Sequence, residues 1–217
     1  MKKDTRLFSI AICLLMAFAL WTAAICQIDV QAIGPQGSAV GFASLNGYMH
    51  SMTGVHMALY TLTDWLGLVP VAFVLGFGLL GLVQWIKRKK LSEVDTDLLL
   101  LGGFYIIVLT AYLIFEFFVV NFRPVLINEN LEASYPSSTT MLTLCVMSTA
   151  TAQLNKRIRH TVFRRCAVSL ITVFTVFMVL GRLISGVHWF SDIVGGILLS
   201  AGLVTLYLSV CRSKQAQ

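Results

Sequence analysis

Six apolar runs, each close to the length of a bilayer crossing, leave this chain few folds to choose from. They lie near Leu7–Gln27, Gly67–Ile86, Leu98–Val120, Ser137–Leu154, Cys166–Ser185 and Trp189–Cys211, and a transmembrane helix needs about 20 such residues. A soluble core built from 217 residues could not enclose them. Of the chain, 57% is hydrophobic and 12% charged, about half the charged share of an ordinary soluble domain. In lipid the backbone must satisfy its own hydrogen bonds, which for segments of this kind means helices. The expected fold class is therefore all-α integral membrane: one domain over 1–217, built as a six-transmembrane-helix bundle. The first run follows Lys2, Lys3 and Arg6, as a signal peptide would. It continues unbroken to Cys26, no small-x-small cleavage site ends it, and Ile25 spoils a lipoprotein-type site, so a retained anchor is expected.

The connections between the runs carry the charge, and they carry it unevenly. Basic residues cluster at Lys2, Lys3 and Arg6, at Lys87 to Lys90, at Lys156, Arg157, Arg159, Arg164 and Arg165, and at Arg212 and Lys214. In a six-span chain all of these fall on one side, which the positive-inside rule assigns to the cytoplasm. Both termini are then cytoplasmic, and Arg123 and Arg182 alone lie at the opposite face. The formal charge of +6 is thus anchoring charge that meets anionic lipid heads, with no role for nucleic acid. An inner membrane of a bacterial cell is the expected location. The five cysteines fall in or at the ends of spans without C-x-x-C pairing, so neither a disulfide framework nor a metal site is expected. The connection over 28–66 is the longest and holds no lysine or arginine. Phe42, Leu45, Tyr48, Met49 and Met52 recur at helical spacing, which predicts an amphipathic helix lying on the outer membrane surface or capping the bundle. His50 and His56 sit in this segment and read first as surface or packing histidines.

Function is concentrated in Gly181 to Asp192. Uncharged runs flank this stretch on both sides, yet it holds Arg182, His188 and Asp192. Ionisable groups at such depth are costly and mark sites. His188 and Asp192 are four apart, which on a helix puts them on one face. An aspartate accepting from Nδ1–H would fix the tautomer and leave Nε2 free to act. Arg182 presents a fork suited to phosphate. The competing reading is a structural Arg–Asp pair with a packed histidine. The third run carries Glu116 about one turn below its outer end and exits through Asn121-Phe122-Arg123-Pro124, and Pro136-Ser137-Ser138-Thr139-Thr140 opens the fourth. Proline followed by hydroxyl residues is a helix start. The free amides and hydroxyls of Ser137, Ser138 and Thr139 would form an anion cradle at its positive end.

In order and spacing these three stretches resemble the motifs of the type 2 phosphatidic acid phosphatase superfamily: K-x6-R-P, then P-S-G-H, then S-R-x5-H-x3-D. Arg182, His188 and Asp192 match the third motif, with Gly181 in place of its serine. Arg123-Pro124 matches the end of the first, and Pro136-Ser137-Ser138-Thr139 the frame of the second. The resemblance covers roughly 98–211, the motif-bearing core. It implies a phosphohistidine mechanism at the extracytoplasmic face. His188 would attack phosphorus, Asp192 would orient it, and Arg182, Arg123 and the Ser137–Thr139 segment would bind the phosphate oxygens. Two positions depart from the family: Glu116 stands at its lysine and Thr139 at its second histidine, the proton donor. His50 or His56 is the alternative acid. The resemblance implies a membrane lipid phosphatase acting on a polyprenyl diphosphate or a phosphatidate-like lipid of the outer leaflet, with no cofactor. The alternatives are a lipid phosphotransferase, and a non-catalytic binder or transporter of phosphorylated lipid. The oligomeric state is left open.

Overall fold

The computed structural model describes residues 2–215. The side chains of Lys2 and Lys3, counted above in the amino-terminal basic cluster, lie outside what is described. The described chain is 76% helix with no strand. In chain order the helices are α1 (Lys2–Ile25), α2 (Ala43–Thr53), α3 (Met57–Leu66), α4 (Leu68–Arg88), α5 (Thr96–Phe117), α6 (Ser138–Arg157), α7 (Thr161–Ile184) and α8 (Phe190–Gln215).

Long apolar sequences form these helices, and lipid rather than a core receives most of their side chains. Leu20, Leu75, Ile106, Phe117, Leu170 and Val173 are all exposed, the inverse of a soluble protein. The interior is built on α1, α5, α6 and α8, where Phe18, Leu101, Phe104, Tyr135, Met141, Leu203 and Tyr207 form one buried cluster. Among the described residues, five helical stretches are long and apolar enough to cross a membrane: Thr5–Ile25, Met57–Arg88, Thr96–Phe117, Thr161–Ile184 and Phe190–Lys214. The protein is an integral membrane protein.

Two features differ from the sequence expectation. The fourth run does form a helix, α6, but it falls short of the apolarity of the other five. Its polar residues Thr140, Thr143, Thr149 and Gln153 are buried, because α4, α5, α7 and α8 all pack against it. Small hydroxyl residues let helices approach closely. Thr149 donates to the Cys145 carbonyl at 2.9 Å and meets the Tyr105 hydroxyl at 3.1 Å. Second, the 28–66 segment is no plain loop. Its α3 runs into α4 through Gly67, which stays in the right-handed helical region, giving a near-continuous apolar stretch of 32 residues.

The α2 helix forms where the spacing put it, but its apolar stripe divides: Phe42 packs on Trp21 and the interior, and most of the rest faces away from the bundle. Leu45, Tyr48 and Met52 are exposed, whereas Asn46 is fully buried. Asn46 explains the orientation. Its amide nitrogen donates to the Gly41 carbonyl at 2.7 Å and to Ser191 Oγ at 2.9 Å, while its oxygen accepts from the Ser191 N–H at 3.0 Å. A buried amide with three hydrogen bonds decides the docking face, and three apolar side chains are left outside the bundle.

The basic residues of the connections lie at the end of the bundle opposite Arg182. There Arg157 binds Asp95 and Asp97 at 3.3 Å each, Lys156 binds Asp97 at 3.3 Å, and Arg88 binds Asp95 at 3.2 Å. This acidic pair gathers α4, α5 and α6 at the end remote from the site.

Candidate active site

A reversal of the chain between α7 and α8 creates the site. Ser185 donates its hydroxyl to the Arg182 carbonyl at 2.8 Å and ends α7. Gly186 follows at φ +68°, and a Cβ there would sit 1.8 Å from the Gly54 carbonyl oxygen. Only glycine fits. The α2–α3 junction closes over this turn, with the His56 N–H donating to the Ser185 carbonyl at 2.9 Å. Arg182, in the last turn of α7, is thereby folded back against His188.

Asp192 sits in the first turn of α8 and is completely buried. His188 precedes that helix, so the two residues do not share a helical face as the spacing had implied. Their nearest atoms, Nδ1 and Oδ2, are 3.9 Å apart, beyond hydrogen-bond range. The carboxylate is instead held by the Trp189 N–H at 2.9 Å, Ser134 Oγ at 2.5 Å and the Asn121 amide at 3.2 Å. His188 Nδ1 lies 3.0 Å from Ser134 Oγ and 3.2 Å from the Ser134 carbonyl. A carbonyl only accepts, so Nδ1 carries the proton. Nε2 is then bare and accepts from Arg182 Nη2 at 3.4 Å.

His188 is 3% exposed. Burial, with the guanidiniums of Arg123 and Arg182 nearby, holds its imidazolium well below the ordinary value of 6.5, so the ring is neutral at physiological pH.

Arg182 is 1% exposed. Its guanidinium stacks 4.9 Å from the Tyr60 ring centre, with Thr63 at 3.4 Å and the Asp64 carboxylate at 3.6 Å. Gly181 permits this: a side chain there would press to 2.8 Å on Thr63. Arg123 reaches the same tyrosine at 5.8 Å. It arrives on a short antiparallel pairing in which the Arg123 N–H donates to the Glu132 carbonyl at 3.0 Å and the Ser134 N–H to the Asn121 carbonyl at 2.9 Å. Its Nε lies 3.1 Å from the Glu132 carboxylate without the alignment of a hydrogen bond. Arg123 Nη1 and Arg182 Nε are buried with no partner. Each such donor costs about 1–3 kcal/mol, a cost an incoming anion would offset.

The remaining expected residues divide. Ser137 is buried and its N–H already donates to the Asp192 carbonyl at 3.1 Å, so that amide is not free to cradle an anion. Its hydroxyl is buried without a partner. Ser138 lines a small cavity of about 20 Å³ together with Ser134, His188, Tyr112 and Glu116. Thr139 and Ser138 open onto a groove of about 600 Å³ between α4 and α5, walled by Leu68, Val71, Ile106 and Leu109. His50 packs its ring 5.5 Å from that of Trp189, and His56 Nε2 lies 2.9 Å from the Thr53 carbonyl. Sequence reasoning missed Ser134, Asn121 and Tyr60. The first two stand two residues before Pro136 and Arg123, and polar type at a motif's flank was the one signal available. Nothing local marked Tyr60.

Fold and site together define a helical membrane bundle that buries a neutral histidine between an aspartate-anchored loop and two arginines. A sequence profile of the PAP2 superfamily matches residues 98–215, and the chain belongs to that superfamily. The crystal structure of a transmembrane PAP2-type phosphatidylglycerolphosphate phosphatase from Bacillus subtilis is similar to it over 95% of this chain and 97% of that one, with a TM-score of 0.60 and 19% identity. At that identity the likeness is one of fold. None of the curated proteins matches the chain by sequence.

Proposed function

We propose that the protein is a membrane lipid phosphatase working through a phosphohistidine. His188 Nε2 attacks phosphorus as the bond to the leaving oxygen breaks. Arg182 and Arg123 hold the non-bridging oxygens, with Ser138 and the Ser137 hydroxyl beside them. Water then attacks the phosphohistidine, releasing phosphate and returning a neutral ring. One observation carries this reading: a bare, neutral Nε2 faces a guanidinium whose neighbouring buried donors lack partners. A phosphate binder needs the arginines but gains nothing from a histidine held in the nucleophilic tautomer. The apolar groove reaching Ser138 and Thr139 supports a lipid substrate. In this reading α6 is a sixth span screened from lipid by its neighbours, both termini are cytoplasmic and the site opens to the outer leaflet. The substrate is a polyprenyl diphosphate or a phosphatidate-like lipid. The test is phosphate release by purified protein from a panel of lipid monophosphates and diphosphates. Release from none of them would end the reading.

Arg182→Ala and Arg123→Ala should each lower kcat/KM about 10- to 150-fold, the equivalent of about 1.5–3 kcal/mol for a charge-assisted bond. Steady-state kinetics on the preferred lipid checks this, and a change under twofold for both would contradict the phosphate-binding role.

The pH profile gives an independent check. A depressed histidine pKa means that protonation, which removes the nucleophile, sets in only at lower pH. The acid limb of kcat/KM, which reports the free protein, should therefore fall below the ordinary histidine value of 6.5. The substrate's own ionisation, titrated separately, is removed first. A midpoint at or above 6.5 would contradict the neutral, desolvated site.

A further inference from the structure

His188 and Asp192 do not touch, and one side chain stands between them. We propose that Ser134 is the positioning residue that couples His188 to Asp192, the hydroxyl relaying between ring and carboxylate. The inference rests on His188 acting as the nucleophile.

Three distances close the chain of bonds. Ser134 Oγ is 2.5 Å from Asp192 Oδ2 and 3.0 Å from His188 Nδ1, while the gap from Nδ1 to Oδ2 is 3.9 Å. The Ser134 hydroxyl has one proton, and the carboxylate oxygen beside it is the stronger acceptor. The hydroxyl therefore donates to Asp192 and accepts from Nδ1–H. The Ser134 carbonyl, 3.2 Å away, accepts from the same Nδ1–H. One residue thus supplies two acceptors to the ring and passes the aspartate's charge to one of them.

The chemistry follows without any proton transfer. When Nε2 bonds to phosphorus the ring becomes positively charged, and Nδ1–H stays in place. That charge polarises the Ser134 hydroxyl, which is already oriented by the carboxylate, and chains of such bonds strengthen one another. Alignment of the ring is secured from the backbone. Ser134 is 3% exposed, its N–H is tied to the Asn121 carbonyl at 2.9 Å, and Asn121 donates to the other carboxylate oxygen at 3.2 Å. The same pairing carries Arg123, so the phosphate-gripping side chain and the relay share one short loop.

The test compares the full chain in detergent with Ser134→Ala, Ser134→Thr and His188→Ala. Ser134→Ala keeps the carbonyl and loses only the hydroxyl. It should lower kcat about 10- to 100-fold, as loss of an orienting partner does, with KM changed less than twofold and thermal unfolding lowered only by the few degrees that one lost buried hydrogen bond costs. Ser134→Thr should restore most of kcat. A second readout does not need turnover. In ¹⁵N-histidine spectra the Nδ1–H proton signal of His188, assigned by its absence in His188→Ala, should move upfield in Ser134→Ala. Wild-type kcat together with an unmoved Nδ1–H signal in Ser134→Ala would overturn the proposal. Should wild-type protein release no phosphate from any lipid, the functional reading would fall, and the Nδ1–H signal alone would decide whether Ser134 holds the ring.

Discussion

His188→Ala is expected to reduce phosphate release by at least about 10⁴-fold while the protein still binds its lipid. The size of the effect follows from what is removed. Losing a nucleophile abolishes the covalent route, whereas the arginines remain to bind the anion, and residual turnover in such knockouts comes from binding and electrostatics alone. Retained affinity is part of the prediction, because Arg182 and Arg123 are held by Tyr60, Thr63 and Asp64 and by the pairing around Glu132, independently of the imidazole. Kinetics and lipid binding measured on the same preparation check both halves. Wild-type turnover in His188→Ala would contradict the mechanism, and lost binding would assign His188 to recognition.

A diphosphate lipid should be turned over far faster than a monophosphate carrying the same tail. The reason lies at Thr139, where the family places its proton donor. An alkoxide leaving group is strongly basic and departs poorly without a proton, and general acid catalysis contributes about 10²–10⁴-fold. A phosphate monoester leaving from a diphosphate is a weak base near neutral pH and needs no donor. The kcat/KM ratio for the paired substrates should approach that range. Thr139→His should raise monoester activity selectively. The rival account gives the proton to His50 or His56. His56 Nε2 is engaged with the Thr53 carbonyl and the His50 ring packs on Trp189, and no contact joins either to His188 among the described residues. Changing both to Gln should leave the diphosphate preference intact. Equal activity on both lipids, collapsing when either loop histidine is changed, would favour the rival.

Apolar run length was enough to place the six long helices, α1 and α4 to α8, because a helix in lipid has little choice of conformation. It located α6 as a helix but could not foresee what surrounds it. Hydropathy expects lipid around every span, whereas Thr140, Thr143, Thr149 and Gln153 are surrounded by four other helices. The α2 helix was legible as a helix, but its orientation hung on the three bonds of Asn46, and a single buried amide leaves no periodic trace. At the site, Arg182, His188, Asp192 and Arg123 stand out by type, since charge in apolar surroundings is rare. Their geometry does not. Four-residue spacing implied a direct His188–Asp192 bond, yet α8 begins only at Phe190, and the ring meets Ser134 from a loop more than fifty residues away in sequence. Side chains supplied across the fold, Ser134, Asn121 and Tyr60 among them, become visible only when the helices are assembled.

A covalent bond between phosphorus and His188 can be trapped by rapid-quench labelling. A lipid diphosphate carrying ³²P at its terminal phosphorus would be mixed with purified protein and stopped in alkali within the first turnover. Label is expected on the protein, stable to base and lost in acid, located on the peptide holding His188, and absent from His188→Ala. Single-turnover phosphate release with no protein-bound label at any quench time, and with His188→Ala still active, would contradict it.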